Sequence, residues 1–336
     1  MPSDGWAGPG ARRSAASTLA TAVWLLAPPS AAEDYLLPVD CTLGQDCHIQ
    51  HFVDRDPSPD WTDYRCGTLT YNGHKGTDFR LLDLAQMEAG VAVLAIAAGT
   101  VQGVRDGMPD IDLRAPGAPS VDGRECGNGV RIRHEDGSSA QYCHLRQGSV
   151  SVARGQQVTA GQPIGLVGLS GATEFPHLHL TLRNAAGAVV DPMDTRLQDH
   201  ACALPERATL WAEEIPYRAG GALTAGFAPK VPEYSAIKAG TAGAPTLSTT
   251  APGLVFWAHF FGLRTHDEVV LSVTTPDGRQ LVERRSRMDR NRARQFVAAG
   301  KRARGPWPPG TYRGEARLLR AGVVLSTITA EVAIDG

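Results

Sequence analysis

The chain has 336 residues, with 33 Lys and Arg against 35 Asp and Glu and 42% hydrophobic side chains. That length predicts more than one domain, and that apolar content excludes a chain too polar to build a core. With 37 Gly, 23 Pro and only 6% aromatics, many turns and short strands are expected rather than long helices. Charge is unevenly spread: residues 1–203 carry a net −8, residues 204–336 a net +6. At the N-terminus, Arg12 and Arg13 precede an uncharged run from Ala15 to Ala27, then Pro28, Pro29 and the small residues Ser30, Ala31 and Ala32. This is the pattern of a signal peptide over residues 1–32, cut near Ala32. The apolar run is too short to span a bilayer, so no stable membrane insertion is expected. An exported chain, periplasmic or secreted, follows. There the six cysteines, Cys41, Cys47, Cys66, Cys126, Cys143 and Cys202, favour disulfides. Cys126 and Cys143 flank an expected hairpin, Val130 to His134 and Ala140 to Leu145 around Asp136-Gly137, and are the expected pair. The other four leave three connectivities open.

Residues 33–66 read as a lead-in with no clear periodicity. Short β runs separated by Gly turns follow over residues 67–203: Val91 to Ile96, Thr100 to Val104, Ile164 to Val167 and His177 to Leu182. One short helix is expected within Leu81 to Glu88. The segment Asp106 to Glu125, rich in Pro, Gly and Asp, reads as a surface loop. Residues 204–252 are rich in Ala, Gly, Pro and Thr and read as a partly structured linker. From residue 253 to 336 alternating runs with turn signals predict an immunoglobulin-like β-sandwich. Phe256, Phe260 and Phe261 suit a buried strand there. Arg284 to Arg304 holds nine basic residues against Asp289. This stretch is a candidate contact for an anionic cell-envelope polymer, or else a solvated face. Nucleic acid is a poor partner for an exported chain.

The chemistry-bearing residues fall in three motifs: Gly73-His74-Lys75-Gly76-Thr77-Asp78, Gln141-Tyr142-Cys143-His144-Leu145, and Gly171-Ala-Thr-Glu-Phe-Pro176-His177-Leu178-His179. On a strand His177 and His179 point to one face. Imidazoles with one carboxylate suit a zinc site that keeps a position open for water. The chain lacks the helical H-E-x-x-H site. In this order the motifs resemble the lysostaphin/LytM-type zinc metallo-endopeptidases, which cut the peptide part of bacterial peptidoglycan. The resemblance covers about residues 67–193. It includes Ala97-Ala98-Gly99-Thr100-Val101, Gly127-Asn128-Gly129-Val130-Arg131-Ile132-Arg133-His134, Gly161-Gln162-Pro163-Ile164-Gly165 and Val190-Asp191-Pro192.

The resemblance implies an all-β protein. Its small antiparallel metallopeptidase domain, of the LytM (duplicated hybrid motif) type, precedes the sandwich. The implied zinc ligands are His74, Asp78 and His179, with His144 and His177 as the non-ligand pair that handles the water and its proton. The implied substrate is a peptidoglycan peptide. Two departures bear on the substrate groove: Glu174-Phe175-Pro176 stands where the family has T-G-P, and Leu180-Thr181 where it has Phe-Glu. His48 and His51 read as structural or exposed, or as a cap on the metal in a latent form. Two alternatives are an inactive regulator of another wall hydrolase, and an adhesin whose function lies in the sandwich. Because every motif lies before Met193, the sandwich is expected to be dispensable for cleavage.

Overall fold

In the computed structural model, residues 34–196 and 208–335 are described. The expected signal peptide, the cut near Ala32 and Cys202 lie outside them. The first half contains β1 (Cys47–His51), β2 (Thr77–Leu81), α1 (Leu84–Ala89), β3 (Ala92–Leu94), β4 (Gly99–Arg105), β5 (Asn128–Arg133) and β6 (Ser139–Leu145). It continues with β7 (Gln157–Val158), β8 (Pro163–Leu166), β9 (His177–Arg183) and β10 (Val189–Val190). The main sheet runs β1-β2-β9-β6-β5-β4-β7, with β10 also on β9, while β3 and β8 form a separate ribbon. All of these pairings are antiparallel. The β5–β6 hairpin turns at Asp136-Gly137, where Gly137 has φ 82° and Asp136 accepts from the Ser138 amide. Helix α1 starts where the Asp83 carboxylate accepts from the Gln86 amide, and stops at Gly90.

Alternation along the central strands separates core from site. Phe79, Leu81, Leu178, Leu180 and Leu182 join one apolar cluster with Tyr142 and Ile132. Each such buried side chain contributes about 1.5–3 kcal/mol. The intervening Asp78, Arg80, His177 and His179 point to the opposite face, and the register sets Asp78 beside His179 and Arg80 beside His177. The lead-in is not irregular throughout. Its β1 adds a strand to the sheet, placing His48 opposite Arg80 and His51 opposite Asp78 across a bulge.

The second half contains β11 (Gly221–Ala228), α2 (Tyr234–Ala239), β12 (Thr246–Ser248), β13 (Gly253–Leu263), β14 (Glu268–Thr274), β15 (Gln280–Arg287), β16 (Arg292–Arg302), β17 (Gly310–Arg320) and β18 (Val323–Asp335). A three-stranded sheet, β11-β13-β16, and a five-stranded sheet, β12-β18-β17-β14-β15, share a core that includes Phe227, Phe256, Phe260, Leu271, Tyr312 and Leu318. This is a β-sandwich. Within residues 204–252, read from sequence as a partly structured linker, the structure places β11, α2 and β12, and β11 is a full partner of β13. Ala and Gly dominate β11 and hid its alternation.

Every residue of β13 is buried. Phe256, Ala258 and Phe260 face the sandwich core. Trp257 packs with Ile237 of α2, and Phe261 belongs to the same apolar cluster as Phe52 and Leu69 of the first half. The His48 ring lies 5.3 Å from that of Phe261. The apolar run, interrupted by His259, thus reflects a strand covered on both faces, one by its own sandwich and the other by α2 and the first half of the chain.

Disulfides join Cys126 to Cys143 and Cys41 to Cys47, and Cys66 is also disulfide-bonded. The first is the pair expected from sequence. The second closes the turn that leads into β1.

Candidate metal centre

Asp78 is 3% exposed and is surrounded by four imidazoles. Its Oδ1 lies 3.1 Å from His74 Nε2, 2.8 Å from His179 Nδ1 and 3.5 Å from His177 Nε2, while Oδ2 lies 2.9 Å from His51 Nδ1. His74 Nε2 and His179 Nδ1 are 3.1 Å apart. Three donors from β2, the turn before it and β9 therefore converge on one point. The structure brings together all five residues singled out in the sequence: the His144 and His177 ring centroids are 4.7 Å apart, and those of His144 and His179 are 5.9 Å apart.

Hydrogen bonds on the far side of each ring fix what faces inward. His74 Nδ1 donates to Phe52 O at 2.7 Å, His144 Nδ1 to Ser170 O at 2.7 Å, and His177 Nδ1 to Phe175 O at 3.0 Å. Each neutral ring then presents an unprotonated Nε2 to the centre. His179 is reversed: Nε2 meets Thr181 Oγ1 at 3.0 Å, leaving Nδ1 inward. A carboxylate oxygen and two imidazole nitrogens converging this closely suit a cation. Their 2.8–3.1 Å separations are near the ~3.3 Å edge of a tetrahedron with ~2.0 Å bonds. The residues present therefore fit a zinc ion held by His74, Asp78 and His179. His144, His177 and His179 also fall within metal-binding reach of one another, but that set lacks a carboxylate to offset the ion's charge.

Electrostatics set His74 apart from His144 and His177. Burial alone would raise Asp78, but His74, His177, His179 and His51 outweigh it and hold the carboxyl well below its usual range. Burial also pulls His74 down, but Asp78 overrides it and the net shift is upward. Burial, reinforced by His177 and His179, drives His144 well below the ordinary imidazole value. Burial pushes His177 down to about 4 against the pull of Asp78. His144 and His177 are therefore neutral at physiological pH.

The backbone is adapted to this geometry. His144 has φ 64°, a left-handed conformation that costs a non-glycine residue of order 1–3 kcal/mol, and its amide is held by Cys126 O at 2.8 Å. Gly76 passes so close to His179 that a Cβ there would lie 2.6 Å from Nε2. That clearance accounts for the glycine between His74 and Asp78.

Sequence reasoning missed Tyr71, and of its readings of His51 (structural, exposed or a cap) the structure agrees with the structural one. His51 bonds to the Asp78 oxygen turned away from the donor cluster, which fixes the carboxylate's orientation. Tyr71 lies with its ring centroid 4.5 Å from that of His74. The alternation of the His51 strand with β2 was the available signal, but a five-residue strand with a bulge displays it weakly. The segment Asp106 to Glu125, expected as a surface loop, also reaches the site: Leu113 N donates to Thr173 O, and Arg114 pairs with Glu174 at 2.6 Å.

The donor cluster lies within residues 72–192, which match the model of peptidase family M23. An M23 peptidase domain thus occupies that part of the chain. Cell division protein DipM of Caulobacter vibrioides is 34% identical over 103 residues, covering 27% of this chain and 17% of DipM. DD-carboxypeptidase/endopeptidase Mpg of Neisseria meningitidis is 35% identical over 88 residues, covering 26% of this chain and 20% of Mpg. The chain thus spans about a fifth of the length of the curated relatives it matches. Among solved structures, a zinc-containing peptidase from Vibrio cholerae is 26% identical, with a TM-score of 0.32 over 48% of this chain and 39% of that one.

Proposed function

We propose that this chain is an exported zinc-dependent endopeptidase that hydrolyses peptide cross-links of bacterial peptidoglycan. The observation that carries the reading is the inward convergence of His74 Nε2, Asp78 Oδ1 and His179 Nδ1, each held by its own partner, beside two neutral imidazoles. The M23 domain match and the similarity to a DD-carboxypeptidase/endopeptidase support the substrate class. The disulfides support an oxidising compartment, periplasmic or extracellular.

Zinc at the three-residue site would supply a Lewis acid for the scissile carbonyl and a water of lowered pKa. Asp78 offsets the ion's charge, with His51 orienting its carboxylate. His144 and His177, tied at Nδ1, accept the attacking water's proton at Nε2 and return it to the leaving amine. Their burial keeps them neutral. The domain plan in this reading is a signal peptide over 1–32, a lead-in over 33–66, the peptidase over 67–203, a partly structured connection over 204–252 and the sandwich from 253. The exposed arginines of Arg284 to Arg304 serve wall retention.

The test is digestion of purified peptidoglycan with mass analysis of the released muropeptides, comparing the wild type with His179→Ala. Cross-linked species should resolve into monomers with the wild type only. Full zinc occupancy with no digestion would instead favour the regulatory reading, in which the domain binds wall without cutting it.

A further inference from the structure

A second polar site lies on the same sheet face as the donor cluster. Asp78 and Arg80 are two residues apart on β2, so Arg80 is about 7 Å along the strand from the metal donors. Arg80 is only 2% exposed. Its guanidinium bonds to Leu81 O, Leu82 O and Gln50 Oε1, all neutral oxygens, and no carboxylate among the described residues pairs with it. A buried charge without a counter-ion is costly unless a ligand supplies one.

The pocket beside Arg80 is completed by the second half of the chain. Arg294 of β16, Lys238 of α2 and His259 of β13 line it together with Phe175 and the carboxylates Asp83, Asp112 and Glu174, and Lys238 is already paired with Asp112 at 2.8 Å. His259 is 2% exposed, and its Nδ1 has no hydrogen-bond partner. The Phe175 ring separates the two sites. It stacks on His177 with centroids 4.4 Å apart, and the Arg80 and Arg294 guanidinium carbons lie 5.0 and 4.8 Å from its centre. Arg294 also bonds Glu174 at 2.8 Å. Phe175 and Glu174 are the residues that depart from the family's pattern ahead of the H-x-H motif.

We propose that this pocket is a carboxylate subsite, in which Arg80 and Arg294 hold the free C-terminal carboxylate of the substrate peptide within about two residues of the cleaved bond. The proposal rests on the peptidase reading and adds a preference for peptides ending near the cut. An extended peptide advances about 3.3–3.4 Å per residue, so a chain presented to His144 and His177 reaches Arg80 within that span. The sandwich is then a specificity element of the peptidase.

The test uses the full chain, zinc-loaded and carrying His144→Ala so that peptide persists. Calorimetry compares a short cross-link peptide ending in a free carboxylate with the same peptide as its C-terminal amide. A charge-assisted pair predicts about tenfold or tighter binding of the acid. Arg294→Gln should bring the ratio close to one, and Arg294→Lys should restore part of it. Lys238→Gln, on the more exposed rim, serves as a second variant if Arg294→Gln misfolds, and should lower the ratio. Equal binding of acid and amide by the starting protein, or an undiminished ratio in the folded variants, overturns the proposal. Acetate and inorganic phosphate titrated alone should bind far more weakly, and either one matching the peptide acid would make this a free-anion site and overturn it too. Cleavage by the zinc-loaded wild type is scored separately, so a missing activity and a missing carboxylate preference are distinguishable.

Discussion

His179→Ala should lose most of the bound zinc by metal analysis, because it removes one of three converging donors. His144→Ala and His177→Ala should keep zinc and lose roughly 10²–10⁴-fold in turnover, the range for a positioned acid–base group. Zinc loss in either of these, with retention in His179→Ala, would reverse the division of roles. His51→Ala should weaken zinc about 10–100-fold in a chelator competition, since it frees the Asp78 oxygen that His51 holds at 2.9 Å. Unchanged affinity would reduce His51 to packing. Asp191 gives a separate pH signature. It is fully buried, its Oδ2 has no partner, and burial raises its pKa from 3.8 to about 7. The folded state therefore holds this proton more tightly than the unfolded chain. The stability it contributes is present below about pH 4 and is lost as pH rises through about 7. Asp191→Asn can still accept the Met193 amide bond and should gain on the wild type between pH 4 and 8 in denaturant titrations. Parallel curves would refute this. The five site residues were legible because each lies in a short motif. His51 was not, because its link to Asp78 runs across a strand pair 27 residues apart in sequence.

Strand β6 shows how one element carries both a catalytic candidate and its support. Cys143 ties it to Cys126 at the end of the long loop, and the next residue, His144, has the left-handed backbone. Closing a loop of 17 residues contributes about 3 kcal/mol in the chain-entropy model. Replacing both cysteines by serine should cost stability of that order in denaturant titrations. It should also lower turnover in protein that remains folded, because His144 loses the anchor that offsets its strain. Full turnover in the folded double variant would show that the Ser170 and Cys126 backbone bonds suffice. The β5–β6 hairpin and β14 were readable from alternation and Gly turns. Neither β1 nor β11 was: β1 is short and bulged, and β11 (Gly221-Ala-Leu-Thr-Ala-Gly-Phe-Ala228) has too few large side chains to show which face is buried.

For the whole molecule, contacts of Phe261 with His48 and of Arg294 with Glu174 bear on the expectation that the sandwich is dispensable for cleavage. Ending the chain near residue 207 would strip Phe261 from its contacts with His48 and Arg294 from Glu174 and Phe175. Such a truncation should be less stable and should cleave a soluble cross-link peptide more slowly. Full activity and an unchanged melting temperature would restore the two-module view. Of the nine basic residues between 284 and 304, Arg292 and Arg294 are the two that are not exposed, so the stretch is divided between an interior contact and a solvated face. The sequence revealed the charge run but not its division, because the partner of Arg294 lies 120 residues earlier.

The double-faced β13 also bears on the order in which the molecule is made. Synthesis delivers the chain from its N-terminus, and early segments fold before later ones arrive. The surface around Phe52 and Leu69 meets Phe261 only after some 200 further residues have emerged, and Glu174 waits for Arg294. Until then the peptidase half carries uncovered apolar surface and an unfinished groove. The groove can therefore be complete only in a chain that has been fully delivered.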